Sequence, residues 1–294
     1  MALTIPCSTD RVLGIEEYVA TVQRELDLSD VASIAASAPL LKALANDRTL
    51  VVKKLNERVE ALFSEGLATA QSLVLGTGRG FYVRANIWPA NSDMANGRTY
   101  QNQFAYNLAH DHNFSFMTVN YLGPGYETEI YEYDNRSVEG YIGEAVEIQF
   151  LEKVRFTPGT AMIYRASRDI HIQYAPEELT VTLNLMLAEP GQQLRDQYYF
   201  DVMKRTITGY PDELLATRRV SLVSLAGHIG DDETIQLLTD LAQKHQCRRT
   251  RLTALESLAK QEPRRAEEIW RLGCSDREPL VSKASERRLQ NLGP

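Results

Sequence analysis

The 294-residue chain is 44% apolar and 24% charged, the balance of an ordinary folded, water-compatible protein. Its net charge of −7 excludes a protein that reads nucleic-acid phosphates through a broad basic field. Three scattered cysteines (Cys7, Cys247 and Cys274) form no CxxC pair, so a disulfide framework is not expected and a reducing cytoplasm is the simplest setting. No basic-then-apolar leader opens the chain and no run approaches about 18 apolar residues, so neither a signal peptide nor a membrane span is expected.

From about Ile15 to Ala70 the apolar pattern is helical. Leu41, Leu44, Leu50, Val51, Leu55, Val59 and Leu62 recur largely at three- and four-residue steps. Asn46 or Asp47, in the break between Leu44 and Leu50, is placed to cap the helix that follows. From about Leu73 to Leu187 the pattern changes to short β-rich runs: FYVRANIW, FSFMTVNYL, TEIYEYD, AVEIQFL, TAMIYRA and LTVTLNLML. GPG at 123–125 and TPGT at 157–160 read as turns, because Gly supplies positive φ and Pro presets the bend. Many short strands at this spacing predict a closed barrel or sandwich. From about Asp212 the helical period returns and holds to the end. There Arg218, Arg219, Leu222 and Leu225 align with Arg248, Arg249, Leu252 and Leu255 at an offset of 30 residues. Helix pairs at that period resemble HEAT-type repeats, with a small helical bundle as the alternative. The expected division is 1–70 helical, 71–200 β-rich and 201–294 helical, an α+β chain.

The strongest chemical signal is NLAHDHNFSF. An H-x-H pair on a strand places both imidazoles on one face, because side chains alternate with period two. Two neutral imidazoles on one face are ligands for Fe, Zn, Cu or Ni. Of only five histidines, three lie in the β-rich region: His110, His112 and His171, the last in SRDIHIQYAP. A three-histidine site leaves positions open for water, oxygen or substrate, as a catalytic metal needs. Glu127 and Glu129, beyond the GPG turn, are farther candidates for a fourth ligand.

The order H-x-H, hairpin, glycine turn, TPGT turn and third histidine resembles the two motifs of the cupin superfamily. That resemblance implies a cupin double-stranded β-helix barrel flanked by N-terminal helices and a C-terminal all-α, HEAT-like region. Within cupins, HDHNFSFMTVNYLGPGYETEIYEYD and IYRASRDIHIQYAPEELTVTLNLMLAEP resemble the cysteine and thiol dioxygenases over about 110 residues. The likeness implies Fe(II) on His110, His112 and His171, with O₂ and a small carboxylate-bearing, amino-acid-like or thiol substrate. Arg84 lies 26 residues before His110, where that family carries the arginine that binds its substrate's carboxylate. Tyr82, Asn86 and Tyr164 are further pocket candidates by strand placement, and Asn184 and Thr182, on the strand near His171, are either substrate hydrogen-bonders or satisfied core polar groups. The chain departs from the family at its Ser-His-Tyr relay, which maps near Asn184, Met186 and Ala188. It departs again at the cross-linking cysteine, where Met117 stands.

Two rival readings remain open. One is a 2-oxoglutarate oxygenase, but that class uses H-x-D/E and a basic residue after the distal histidine, where this chain has EELT at 177–180. The other is a non-enzymatic metal- or ligand-binding sensor signalling through its C-terminal helices. The Arg- and Lys-rich run RRTRLTALESLAKQEPRRAEEIWRLG suggests a protein partner with an acidic surface, or else a solvated helix face.

Overall fold

A computed structural model describes residues 3–61, 72–90, 92, 104–189, 191–211 and 215–292. Leu62 of the N-terminal apolar series and Asp212, where the C-terminal helical period opens, lie outside the described residues. The chain forms two compact units, one of residues 1–133 with 148–190, the other of residues 134–147 with 191–294. No helix among the described residues is long and apolar enough to cross a membrane.

The first unit opens with strand β1 (Leu3–Pro6) and helices α1 (Ile15–Glu25), α2 (Val31–Ala36), α3 (Ala38–Ala45) and α4 (Leu50–Ala61). Asn46 closes α3, and its amide donates to the carbonyls of Thr9 and Arg11. Asp47 accepts from the backbone and hydroxyl of Thr49 and leads the chain into α4. The strands are β2 (Ser72–Gly78), β3 (Phe81–Trp88), β4 (Ala109–His110), β5 (Phe116–Leu122), β6 (Tyr126–Glu132), β7 (Gln149–Phe156), β8 (Thr160–Tyr164), β9 (Asp169–Gln173) and β10 (Thr180–Leu187). One antiparallel sheet runs β1-β8-β5-β10-β3-β2; in the other, β4, β9, β6 and β7 lie side by side.

Alternation gives the first sheet two different faces. Val83, Ala85, Met117, Val119, Ala161, Ile163, Leu183 and Leu185 are buried against Tyr18, Val22, Leu41 and Leu44 of the N-terminal helices. The opposite face carries Phe116, Met162, Tyr164 and Met186, which pack with Tyr126, Ile130 and Phe156 of the second sheet. Met117, aligned above with the cysteine of the thiol dioxygenases, therefore points at the helices and away from the space between the sheets. Gly125 sits at φ +90°, where a Cβ would lie 1.7 Å from the Phe156 carbonyl oxygen, so the GPG turn needs glycine there.

The run AVEIQFL predicts its strand too early. Strand β7 begins at Gln149, and residues 145–147 belong to the second unit. There the Glu144 carboxylate is claimed by the backbone N–H groups of Glu139, Gly140 and Tyr141, a role that favours a compact turn over an extended strand.

The second unit holds a hairpin, β11 (Tyr199–Asp201) with β12 (Thr206–Gly209), then helices α5 (Leu215–Ile229), α6 (Asp232–Lys244), α7 (Arg248–Gln261), α8 (Ala266–Cys274) and α9 (Pro279–Asn291). Helix α7 packs against all four of the others. The two halves of the 30-residue repeat differ in environment: Leu222 and Leu225 are 67% and 53% exposed, whereas Leu255 is 1% exposed. The arginines of the basic run are largely neutralised within the unit. Arg248 and Arg249 both pair with the buried Asp196, Arg251 with Asp276, Arg265 with Glu262 and Glu268, and Arg271 with Glu267.

Arg251 and Asp276 form a buried fork of 2.6 and 2.7 Å, and Arg251 also donates to the carbonyls of His245 and Gln246. Burial pushes the Asp276 carboxyl up, but the Arg251 bonds outweigh it and hold the group below its ordinary value of 3.8. Removing one partner of a buried pair strands the other, so Arg251→Ala is expected to cost about 3–5 kcal/mol at neutral pH. The paired carboxylate stabilises the fold above the ordinary aspartate value, and that contribution is lost as pH falls through the lower folded value. Denaturant unfolding of wild type and Arg251→Ala should therefore show a gap at pH 7 that narrows below pH 3.8. An equal gap at both ends of the range would mean the arginine acts through packing alone.

Candidate metal centre

Strand β4 is only two residues long, so His112 lies beyond it and the alternation argument does not carry that ring to its place. The turn after the strand does. The Asp111 carboxylate is fully buried and accepts from the Tyr133 hydroxyl at 2.7 Å, while the His112 carbonyl accepts from the Ser167 amide at 2.6 Å. His110 pairs in register with His171 across β4 and β9. The outcome is the one expected by a different route: one nitrogen from each of His110, His112 and His171 lies within 4.8 Å of the others.

The donor set suits a divalent ion. The Nε2 atoms of His110 and His171 are 3.0 Å apart. Two metal–nitrogen bonds of about 2.1 Å at a right angle would span about that distance. His110 Nδ1 lies 2.9 Å from the Leu108 carbonyl oxygen, which can only accept, so Nδ1 carries the proton and Nε2 keeps its lone pair. Burial holds His171 well below the ordinary histidine range, and the neighbouring His110 and His112 lower it further. The ring is thus neutral, the form that ligates a metal.

Aromatic rings wall the cluster. Phe114 stacks on His112 at 4.6 Å, Tyr164 meets His171 edge-on at 4.7 Å, and Phe116 stacks on Tyr164 at 4.7 Å. Such walls keep water out and strengthen electrostatic contacts inside.

Glu127 and Glu129 do not reach the histidines. Ile130 is opposite His171, so the two glutamates alternate to the outer face of β6. Glu127 pairs there with Lys153, and Glu129 accepts from the hydroxyls of Tyr131 and Tyr174.

The other candidates all fall on the inward face of the first sheet, in rows set by strand register. Tyr82, Met186, Phe116 and Tyr164 form the row nearest the histidines. The next row holds Arg84, Asn184 and Thr118, with the Thr118 hydroxyl donating to Asn184 Oδ1 at 2.6 Å. The Arg84 Nε is buried with no hydrogen-bond partner, and burial pulls its guanidinium below the ordinary arginine range. Asn86 and Asn120 lie in phase with Arg84 and Phe116. Strand placement picks out Asn86 from the sequence, whereas Asn120 was missed and alternation along β5 is the signal that could have found it.

No protein-family model matches the chain, and no curated protein matches it. Among solved structures, a hydroquinone 1,2-dioxygenase in complex with Cd²⁺ and 4-hydroxybenzonitrile is 11% identical, covering 40% of this chain and 63% of its own, with a TM-score of 0.25. A salicylate 1,2-dioxygenase from Pseudaminobacter salicylatoxidans is 9% identical over 51% of this chain and 36% of its own, with a TM-score of 0.30. A DMSP lyase structure is 14% identical over 43% of this chain and 50% of its own, with a TM-score of 0.25. The chain thus spans less than two thirds of each of these three proteins.

Proposed function

We propose that the first unit is a cupin-type barrel that holds Fe(II) on His110, His112 and His171 and oxidises a small carboxylate-bearing substrate with O₂. One observation carries the reading: three converging imidazoles share an interior with an inward-facing arginine whose buried Nε has no partner. Iron bound there would activate O₂ and act as a template for the substrate.

The chain's own residues supply the rest. Three neutral ligands leave the charge of a divalent ion uncompensated, and Arg84, on the inward face of the other sheet, adds a further cation to the same interior. Buried charges of one sign call for an anion. A carboxylate meets that demand, and the planar guanidinium fork matches it in a bidentate way. Tyr82, Tyr164 and Asn184 flank the path between Arg84 and the histidines and would orient the rest of the molecule. The Phe114, Phe116 and Tyr164 rings exclude competing water. His112 stands where an H-x-D/E centre carries its carboxylate ligand, and the adjacent Asp111 is bonded to Tyr133.

The test is oxygen uptake by the iron-loaded protein over a panel of small amino, thiol and hydroxy acids, with and without 2-oxoglutarate. Uptake is expected with at least one acid and without 2-oxoglutarate, since no basic residue follows His171 at the matching distance. Strict dependence on 2-oxoglutarate would move the chain to that oxygenase class, and metal binding with no uptake on any acid would favour a sensor.

A further inference from the structure

On β10, Thr182 stands directly between Asn86 of β3 and Asn120 of β5, one inward-facing row beyond Arg84. The three residues are 1%, 6% and 7% exposed respectively. The Thr182 hydroxyl accepts from the Trp88 indole N–H at 3.1 Å. Asn86 Oδ1 and Asn120 Nδ2 are each buried with no hydrogen-bond partner. A buried amide atom without a partner destabilises the fold, and valine or leucine would fill either position at no such cost. Two such atoms flank one threonine, on a face already lined by Arg84.

We propose that Asn86 and Asn120 form a subsite for a neutral amide carried by the substrate, a reading that rests on Arg84 as the carboxylate anchor. The chemistry selects the group. The row holds no charged side chain, and its free atoms are one acceptor and one donor. A primary or secondary amide presents the complementary donor and acceptor, whereas a second carboxylate would meet the Asn86 oxygen unfavourably. The spacing limits the length. Adjacent inward positions on a strand are about 6.6–6.8 Å apart, so the amide lies a few bonds from the carboxylate.

The experiment is calorimetric titration of the full-length, metal-loaded protein with ω-amido acids of four to eight carbons and with unsubstituted acids of matched length. One amido acid should bind about tenfold tighter than its matched acid, the worth of one or two neutral hydrogen bonds. In Asn86→Leu and Asn120→Leu that preference should fall towards unity while the plain acid still binds. Both variants should also keep or raise the Tm of the ligand-free protein, because each removes an unsatisfied amide in favour of an apolar group of similar shape. A preference that persists in both variants, or its absence in wild type while Arg84 still governs acid binding, overturns the subsite and leaves the carboxylate anchor standing. A lowered Tm in both variants assigns the asparagines to the fold and overturns it too. If no acid binds, or binding is unchanged in Arg84→Ala, the anchor itself fails and the subsite falls with it.

Discussion

His171→Ala should lose most of its bound metal while both sheets stay folded. Each histidine supplies one of three protein ligands, so removing one weakens every remaining coordination. Loss of an outer-shell partner alone typically costs about 10–100-fold in metal affinity, and a direct ligand is worth more. His171 is the sharpest probe of the three because it is fully buried, neutral, and 3.0 Å from its neighbour's nitrogen. Elemental analysis after gel filtration should find about one metal per chain in wild type and a small fraction of that in the variant. Circular dichroism should match that of the metal-free wild type. The same loss is expected for His110→Ala and His112→Ala. Full stoichiometry retained in His171→Ala would refute the triad.

Arg84→Ala should leave metal content unchanged and weaken the substrate. A charge-assisted bidentate contact is worth roughly 1.5–3 kcal/mol, so kcat/KM on an acid that supports oxygen uptake should fall about ten- to a hundredfold or more. Arg84→Lys should recover only part of this, since an ammonium keeps the charge and loses the fork. A stability readout separates the two roles an interior arginine can have. The Arg84 Nε is buried without a partner, so its removal should not lower the Tm of the ligand-free protein. A large drop in Tm with unchanged kinetics would make Arg84 a structural residue and remove the carboxylate anchor.

The parts of this molecule that were legible in the sequence are those where local pattern and tertiary demand agree. FYVRANIW became β3 without adjustment, because alternation, β-branching and the following Pro all point the same way. The glycines of GPG and TPGT are at positive φ, as turn chemistry requires. The three histidines stood out because there are few others. What could not be read off depends on contacts distant in sequence. Whether Glu127 faced in or out turned on its register against β9, where a one-residue shift would have reversed the answer. The route of His112 into the cluster depends on Asp111 finding Tyr133, 22 residues away. Strand β1, four residues long, owes its existence to pairing with β8 and has little pattern of its own. The basic character of the C-terminal run was a property of composition, and only the fold showed that Asp196 and Asp276 answer it from outside.

The chain leaves the first unit after Tyr133, returns at Ile148, and leaves again after Pro190. The two units are therefore stitched together rather than strung in line, and no single cut frees one whole. Ending the chain at residue 190 would orphan residues 134–147, whose Val138 and Val146 are buried in the complete protein. During synthesis that segment emerges well before the helices of its own unit. Engineering of the metal centre should accordingly keep the full chain, and swapping of the C-terminal helices should carry residues 134–147 with them.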